Sequence, residues 1–251
     1  MRNFLYLSAV AFTLVVSVGC KDSKKEKLPP AAKNEALSVE KALEDHVNIK
    51  EDYKKNPSDF LPKGYVIFEE TKGDLNNDGL EDYILIIKAT EKDKIIIDEH
   101  CGKLDRNRRG IIVLLKTPDN SYKLAVENDQ CFSSKNEEGG AYYAPELMVY
   151  AEKGNLFIHY AHGRYGYWKY TFRLKNSDFQ MIGYDASDNN GPTVMNETSI
   201  NYLTGKMHYK QNKNPNADSG EEVFEEKWSK INIQKPIMLS EIKDFDELEN
   251  S

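Results

Sequence analysis

Residues 146–185 read ELMVYAEKGNLFIHYAHGRYGYWKYTFRLKNSDFQMIGYD, and how that stretch is divided decides the fold. It breaks into ELMVYAEK (146–153), NLFIHYA (155–161), YWKYTFRLK (167–175) and FQMIGYD (179–185), short runs rich in aromatic and β-branched residues and parted by turn residues. Each has the length and composition of a β-strand. Working outward, YVIFEE (65–70), YILIIKAT (83–90), GIIVLLKT (110–117), YKLAVEN (122–128), TSINYL (198–203), KMHYKQ (206–211) and KINIQ (230–234) repeat the pattern, giving about eleven strands. Connectors such as PDNS (118–121), KGN (153–155) and LTGK (203–206) are of hairpin length, and no amphipathic helix long enough for a crossover intervenes. Neighbouring strands are therefore expected to be antiparallel. The expected fold is mainly β, an antiparallel β-meander of one or two sheets, sandwich-like or partial-propeller-like; the lack of a fixed-period repeat speaks against a full propeller.

The flanks read as helices. LSVEKALEDHVNIKEDYKK (37–55) spaces Leu37, Val39, Leu43 and Val47 loosely at helical intervals before Pro57, which predicts a short N-terminal helix. LSEIKDFDELE (239–249) predicts a short C-terminal helix with Ile242, Phe245 and Leu248 turned inward.

The first twenty residues carry an address. Arg2, the apolar stretch FLYLSAVAFTLVVSV and the ending SVGC form an export signal too short for a stable membrane span. Gly19-Cys20 resembles the lipobox of bacterial lipoproteins, in which the cysteine is lipidated and the chain is cut before it; Ser17 stands where that motif prefers Leu. Lys21 is not the Asp that retains some lipoproteins at the inner membrane, so the resemblance implies an outer-membrane lipoprotein of the cell envelope, on its periplasmic or surface face. The expected organisation is a signal peptide over 1–19, lipidated Cys20 with a flexible Lys- and Pro-bearing tether over 20–36, and one β-rich domain over 37–251. With 251 residues, 39% hydrophobic and 11% aromatic, the chain can bury a core of its own. A formal net charge of −7 argues against a nucleic-acid surface.

GDLNNDGLED (73–82) stands at the mouth of the apolar run YILIIK. Its Asp-x-Asn-x-Asp-Gly-x-x-Asp order sets side-chain oxygens of Asp74, Asn76, Asp78 and Asp82 at loop positions 1, 3, 5 and 9. The Leu80 backbone carbonyl falls at position 7, and Gly79 is free to take the sharp turn. Hard oxygen ligands in that number suit a structural calcium ion. An EF-hand would need Glu at position 12, which is Leu85 here, so the loop resembles the strand-to-strand calcium loop of FG-GAP and integrin-type propeller repeats. The other reading is an acidic hairpin whose Asn and Asp cap backbone groups.

Three further features remain. Cys101 and Cys131 form an even pair once Cys20 is lipidated, so an exported chain could join them in a disulfide, the alternative being two buried thiols. In FIHYAHGRYGYWKYTFR (157–173), Trp168, Tyr170 and Phe172 share one strand face while Tyr165 and Tyr167 flank Gly166. Tyr165, Tyr167, Trp168 and Tyr170 either form an exposed platform for a glycan or protein ligand or pack into a core. His159 and His162, three apart in a strand-like run, fall on opposite faces and make no zinc pair. The chain contains no GxSxG, HExxH or glycine-rich phosphate motif. Carboxylate pairs such as Glu137/Glu138 and Glu225/Glu226 are the residues a hydrolase would draft.

Taken as wording, DFLPKGYVIFEETKGDLNNDGLEDYILIIK (59–88), LDRNRRGIIVLLK (104–116), the stretch over 139–192 and NETSINYLTGK (196–206) resemble a family of uncharacterised bacterial lipoproteins. The resemblance implies a secreted β-rich domain with an FG-GAP-like acidic loop and carries no activity onto particular residues. The expected function is a lipid-anchored, non-catalytic binding or structural module with a calcium-stabilised loop; the alternative is a glycan-acting hydrolase using loop carboxylates. The expected partners are the membrane, through the lipid, and a glycan or envelope protein.

Overall fold

A computed structural model describes residues 53–135, 145–214, 216, 218 and 220–248. The chain divides into two units, Met1–Lys50 and Glu51–Ser251; the first, with the signal peptide, the tether and most of the expected N-terminal helix, lies outside the described residues.

The second unit is all antiparallel β. Its first half holds β1 (Tyr53–Lys54), β2 (Tyr65–Gly73), β3 (Asp82–Ala89), β4 (Ile95–Asp98), β5 (Gly102–Asp105), β6 (Arg109–Lys116) and β7 (Tyr122–Phe132). Five of these make a sheet in the order β1-β7-β6-β3-β2, and β4 and β5 form a separate hairpin. The second half holds β8 (Glu146–Glu152), β9 (Asn155–Ala161), β10 (Gly166–Lys175), β11 (Asp178–Asn190), β12 (Thr193–Asn201), β13 (Lys206–Asn212) and β14 (Phe224–Lys230). These seven follow one another as a meander, each paired with the strand before it.

Hairpin chemistry sets the register. Between β8 and β9, Glu152 pairs with Asn155, and the two turn residues Lys153 and Gly154 both take positive φ, 51° and 72°. That is the type I′ arrangement matching the twist of paired strands. The inner faces of the two sheets then share one core: Ile84, Ile86, Ile111, Val113 and Val126 from the first, Leu156, Ile158, Tyr170, Phe172, Phe179 and Met181 from the second. In the first sheet the opposite face is buried as well. Leu85, Ile87, Ile112 and Leu114 pack beneath Phe60 and Leu61, which explains why YILIIK and GIIVLLK read as unbroken apolar runs rather than alternating ones.

The C-terminal stretch is a strap and not an α-helix. It forms a single 3₁₀ turn, Leu239–Glu241, because its polar groups are spent on the sheets. The Asn128 side chain donates to the carbonyls of Leu239 and Ile242 (2.8 and 2.7 Å), and the Phe245 N–H donates to Cys131 O (3.0 Å). Leu239, Ile242 and Phe245 are buried and Leu248 packs against them, so the inward residues are the expected ones. KINIQ is also corrected: the last strand is β14, FEEKWSK, one step upstream. Its residues are nearly all exposed, so ladder bonding to β13, and no apolar pattern, makes it a strand. Among the described residues no helix is long and apolar enough to cross a membrane.

Candidate functional site

The acidic loop joins β2 to β3 and is closed by its own side chains. Asp74 accepts the N–H groups of Asp78 and Gly79 (3.1 and 2.9 Å), and Asp78 accepts that of Leu80 (2.8 Å). Asn76 accepts the Asp78 N–H (3.0 Å) and donates its amide to Asp78 Oδ2 (2.8 Å). Asp82, fully buried, holds the Leu75 N–H at 2.8 Å and, across the sheet, the Lys116 N–H at 2.9 Å. Gly79 takes φ +83° with open space around it, the sharp turn that its position calls for. Leu75 reaches from this polar loop into the core.

The loop also meets the second sheet. A Cβ at Gly73 would strike Ala151 of β8, and one at Gly154 would strike the Asn77 side chain. The loop therefore touches the flank where β2 and β8 adjoin.

Burial raises the pKa of Asp82, the two backbone donors oppose that, and the charges of Asp78 and Asp74 raise it further. Asp74, Asp78 and Asp82 take their bonds from uncharged N–H donors. Among the described residues no group of three or more His, Cys, Asp and Glu is set to hold a metal ion. Such a group omits the Asn76 amide oxygen and the Leu80 carbonyl, which supply two of the five ligands in the loop pattern. Each carboxylate oxygen that accepts one N–H keeps lone-pair capacity for a cation. The residues thus fit calcium in type, order and charge.

The stretch 157–173 divides between the two faces of the second sheet. Trp168 stacks on Tyr160 at 5.3 Å. Tyr170 is 2% exposed and packs against Tyr184 and Phe245. The shared face of Trp168, Tyr170 and Phe172 is therefore core, which removes Tyr170 from any ligand platform, because a ring that fills the space between two sheets has no face to offer. Tyr165 is 48% exposed beside His162, and Tyr167 lies on the outer face.

That outer face holds the rings the sequence reading overlooked. Tyr150 and Phe157 are cross-strand partners, stacked at 5.0 Å and 14°. Next to them His159 meets Tyr167 edge-on at 5.4 Å, and the Lys169 ammonium sits 5.9 Å over Phe157 while reaching Asp185 at 3.5 Å. Farther along, Trp228 of β14 is 66% exposed and lies parallel to His208 at 4.1 Å. Burial and Lys169 both lower the His159 pKa, so its ring tends to stay neutral. The available signal was phase: in NLFIHYA, Phe157 and His159 alternate with the buried Leu156, Ile158 and Tyr160.

The two cysteines carry thiols, one of the two readings the sequence left open, with Cys131 buried and Cys101 partly so. Cys131 is fully buried in the inter-sheet core, with burial raising its pKa. Cys101 lies in the turn of the β4–β5 hairpin, which pairs with neither large sheet, and its N–H donates to Asp98 at 2.8 Å. Of the drafted carboxylates, Glu137 and Glu138 lie outside the described residues. Glu225 and Glu226 alternate along β14 and have separate partners, Lys213 at 2.7 Å and His208 at 3.0 Å.

No protein-family model matches the chain, and neither does any curated protein or solved structure. The functional reading rests on the residues themselves.

Proposed function

We propose that this protein is a lipid-anchored, non-catalytic binding module of the bacterial cell envelope. On this reading it presents the outer face of its seven-stranded sheet to a glycan or envelope protein and uses the Asp74–Asp82 loop as a calcium-stabilised joint. The carrying observation is the row of rings at outward positions: stacked Tyr150 and Phe157, with His159 and Tyr167 beside them. A sheet that already buries its other face gains nothing for its own core from rings on this one, and partly exposed aromatics flanked by charge suit stacking on a sugar or a protein side chain. The test is capture of envelope proteins and arrayed glycans by the mature chain, with and without calcium, beside a Tyr150→Ser/Phe157→Ser variant whose core is untouched. Selective capture that the double variant loses supports the reading; no capture, or capture undiminished by the double variant, overturns it.

A further inference from the structure

The β4–β5 hairpin leaves one main-chain edge open. Its two strands form a sheet of their own, and Ile95, Ile96 and Ile97 of β4 are 37%, 40% and 78% exposed, three consecutive isoleucines that neither core uses. The hydrogen-bond phase shows which groups face the open side. The Arg106 N–H donates to Lys94 O at 2.9 Å and Ile95 pairs with Asp105, so the main-chain groups of Lys94, Ile96 and Asp98 turn towards β5 and those of Ile95 and Ile97 turn away. The Ile95 N–H is taken by Lys92 O in the preceding turn. Among the described residues, no main-chain partner holds the Ile95 carbonyl or the Ile97 N–H.

A free edge invites pairing with another chain, and charged side chains are the usual guard. β14, at the edge of the seven-stranded sheet, carries that guard in Glu225, Glu226, Lys227 and Lys230. β4 reads IIID and keeps its charges at the ends, Lys94 before the isoleucines and Asp98 after them. That order is self-complementary. When the strand meets a second copy of itself running antiparallel, with Ile96 opposite Ile96, Ile95 falls opposite Ile97 and Lys94 opposite Asp98. The same register sets the open Ile97 N–H on the open Ile95 carbonyl of the other copy, and the two-fold axis repeats the bond. Sliding the pairing by two residues one way sets isoleucines against Asp98 and Glu99, and the other way against Lys94 and Asp93.

We propose that the outer edge of β4 is a self-association surface, on which two copies of this chain pair β4 with β4 about a two-fold axis at Ile96 and join their hairpins into one four-stranded sheet. Burial of the isoleucines drives the pairing, and the Lys94–Asp98 contacts fix its register. The surface is short, so the association is weak and reversible. None of these residues belongs to the outer-face row of rings, so this surface stands or falls independently of the proposed function.

The test uses the full mature chain with Cys20→Ala, which removes the expected lipid, and Cys101→Ser, which removes the thiol beside β4. Sedimentation velocity at concentrations rising into the millimolar range should show a reversible monomer–dimer equilibrium. Ile97→Lys, at an exposed position that leaves both cores alone, should weaken it about tenfold or more. Lys94→Glu, which meets Asp98 of the other copy with like charge, should weaken it about threefold to tenfold, and most at low salt. Ile96→Cys reads the register. Opposed residues at a non-hydrogen-bonded pair have Cα atoms about 4.5 Å apart, within reach of a disulfide, so mild oxidation should link two copies rapidly through Ile96→Cys and not through Lys103→Cys on β5. A chain that stays monomeric throughout, as it would if another of its own segments covered β4, overturns the proposal. So does a dimer indifferent to Ile97→Lys, or linking as fast through Lys103→Cys as through Ile96→Cys.

Discussion

Asp82 divides one carboxylate between a loop and a strand, accepting the N–H of Leu75 in its own loop and that of Lys116 at the far end of β6. Its pKa is raised by burial, and the sign of that shift makes a prediction. A carboxyl whose pKa is higher folded than unfolded binds more protons in the native state, so its contribution to stability falls as pH rises from the unfolded value near 3.8 through the folded one. In chelator, the stability of wild type relative to Asp82→Asn should therefore increase as pH is lowered from 7 towards 4. With calcium bound the trend should reverse, since protons then compete with the ion; melts of both proteins across that range check both signs. Asp78 gives the companion experiment. Calcium at roughly 10–100 times its dissociation constant should stabilise wild type by about 1.4–2.7 kcal/mol beyond matched sodium, and Asp78→Ala should lose most of that increment. An equal response to sodium would leave the loop as a capped hairpin. At this scale the order Asp-x-Asn-x-Asp-Gly-x-x-Asp was legible from the chain, because turn chemistry is local. The Asp82–Lys116 bond was not, since it spans 34 residues.

Among the elements, strands with a buried face were legible; of those exposed along nearly their whole length, β2 was read and β14 was not. The runs over 146–185 gave β8, β9 and β10 to within a residue and the first half of β11, which continues five residues further to Asn190, because period-two alternation records which side of the sheet meets the core. The exposed edge strand β14 and the small β4–β5 hairpin, where Ile97 is 78% exposed, leave no such record. The same limit applied to the aromatic stretch: the sequence placed Trp168, Tyr170 and Phe172 on one face, but which face was inner depended on a second sheet that local pattern does not describe. The C-terminal strap shows the converse, an element read as a helix whose inward residues were nevertheless the right ones. Phe245 meets Phe132, Tyr170 and Phe172. Phe245→Ala should cost about 3–5 kcal/mol, measured by urea unfolding. A loss under about 1 kcal/mol would mean that the strap merely lies on the sandwich.

For the molecule as a whole, the proposed lipid anchor at Cys20 is the expectation to test directly. If Cys20 is lipidated, Cys20→Ala should move the protein from the membrane fraction to the soluble one. Retention on membranes after a salt wash would show that something other than lipid holds it. The two sheets are consecutive in sequence, the first closing with β7 and the second opening with β8, and each could pair its own strands as soon as they are available. A segment that follows both in sequence packs across them: the Met181 N–H donates to Ile237 O and the Phe245 N–H to Cys131 O, with Leu239, Ile242 and Phe245 seated in the shared core. A chain made amino end first presents this segment only after every strand of both sheets. Until it arrives, the paired strands lack the Phe245 ring that lies between Phe132 and Tyr170, so the seam between the sheets closes only once residues 237–245 are in place.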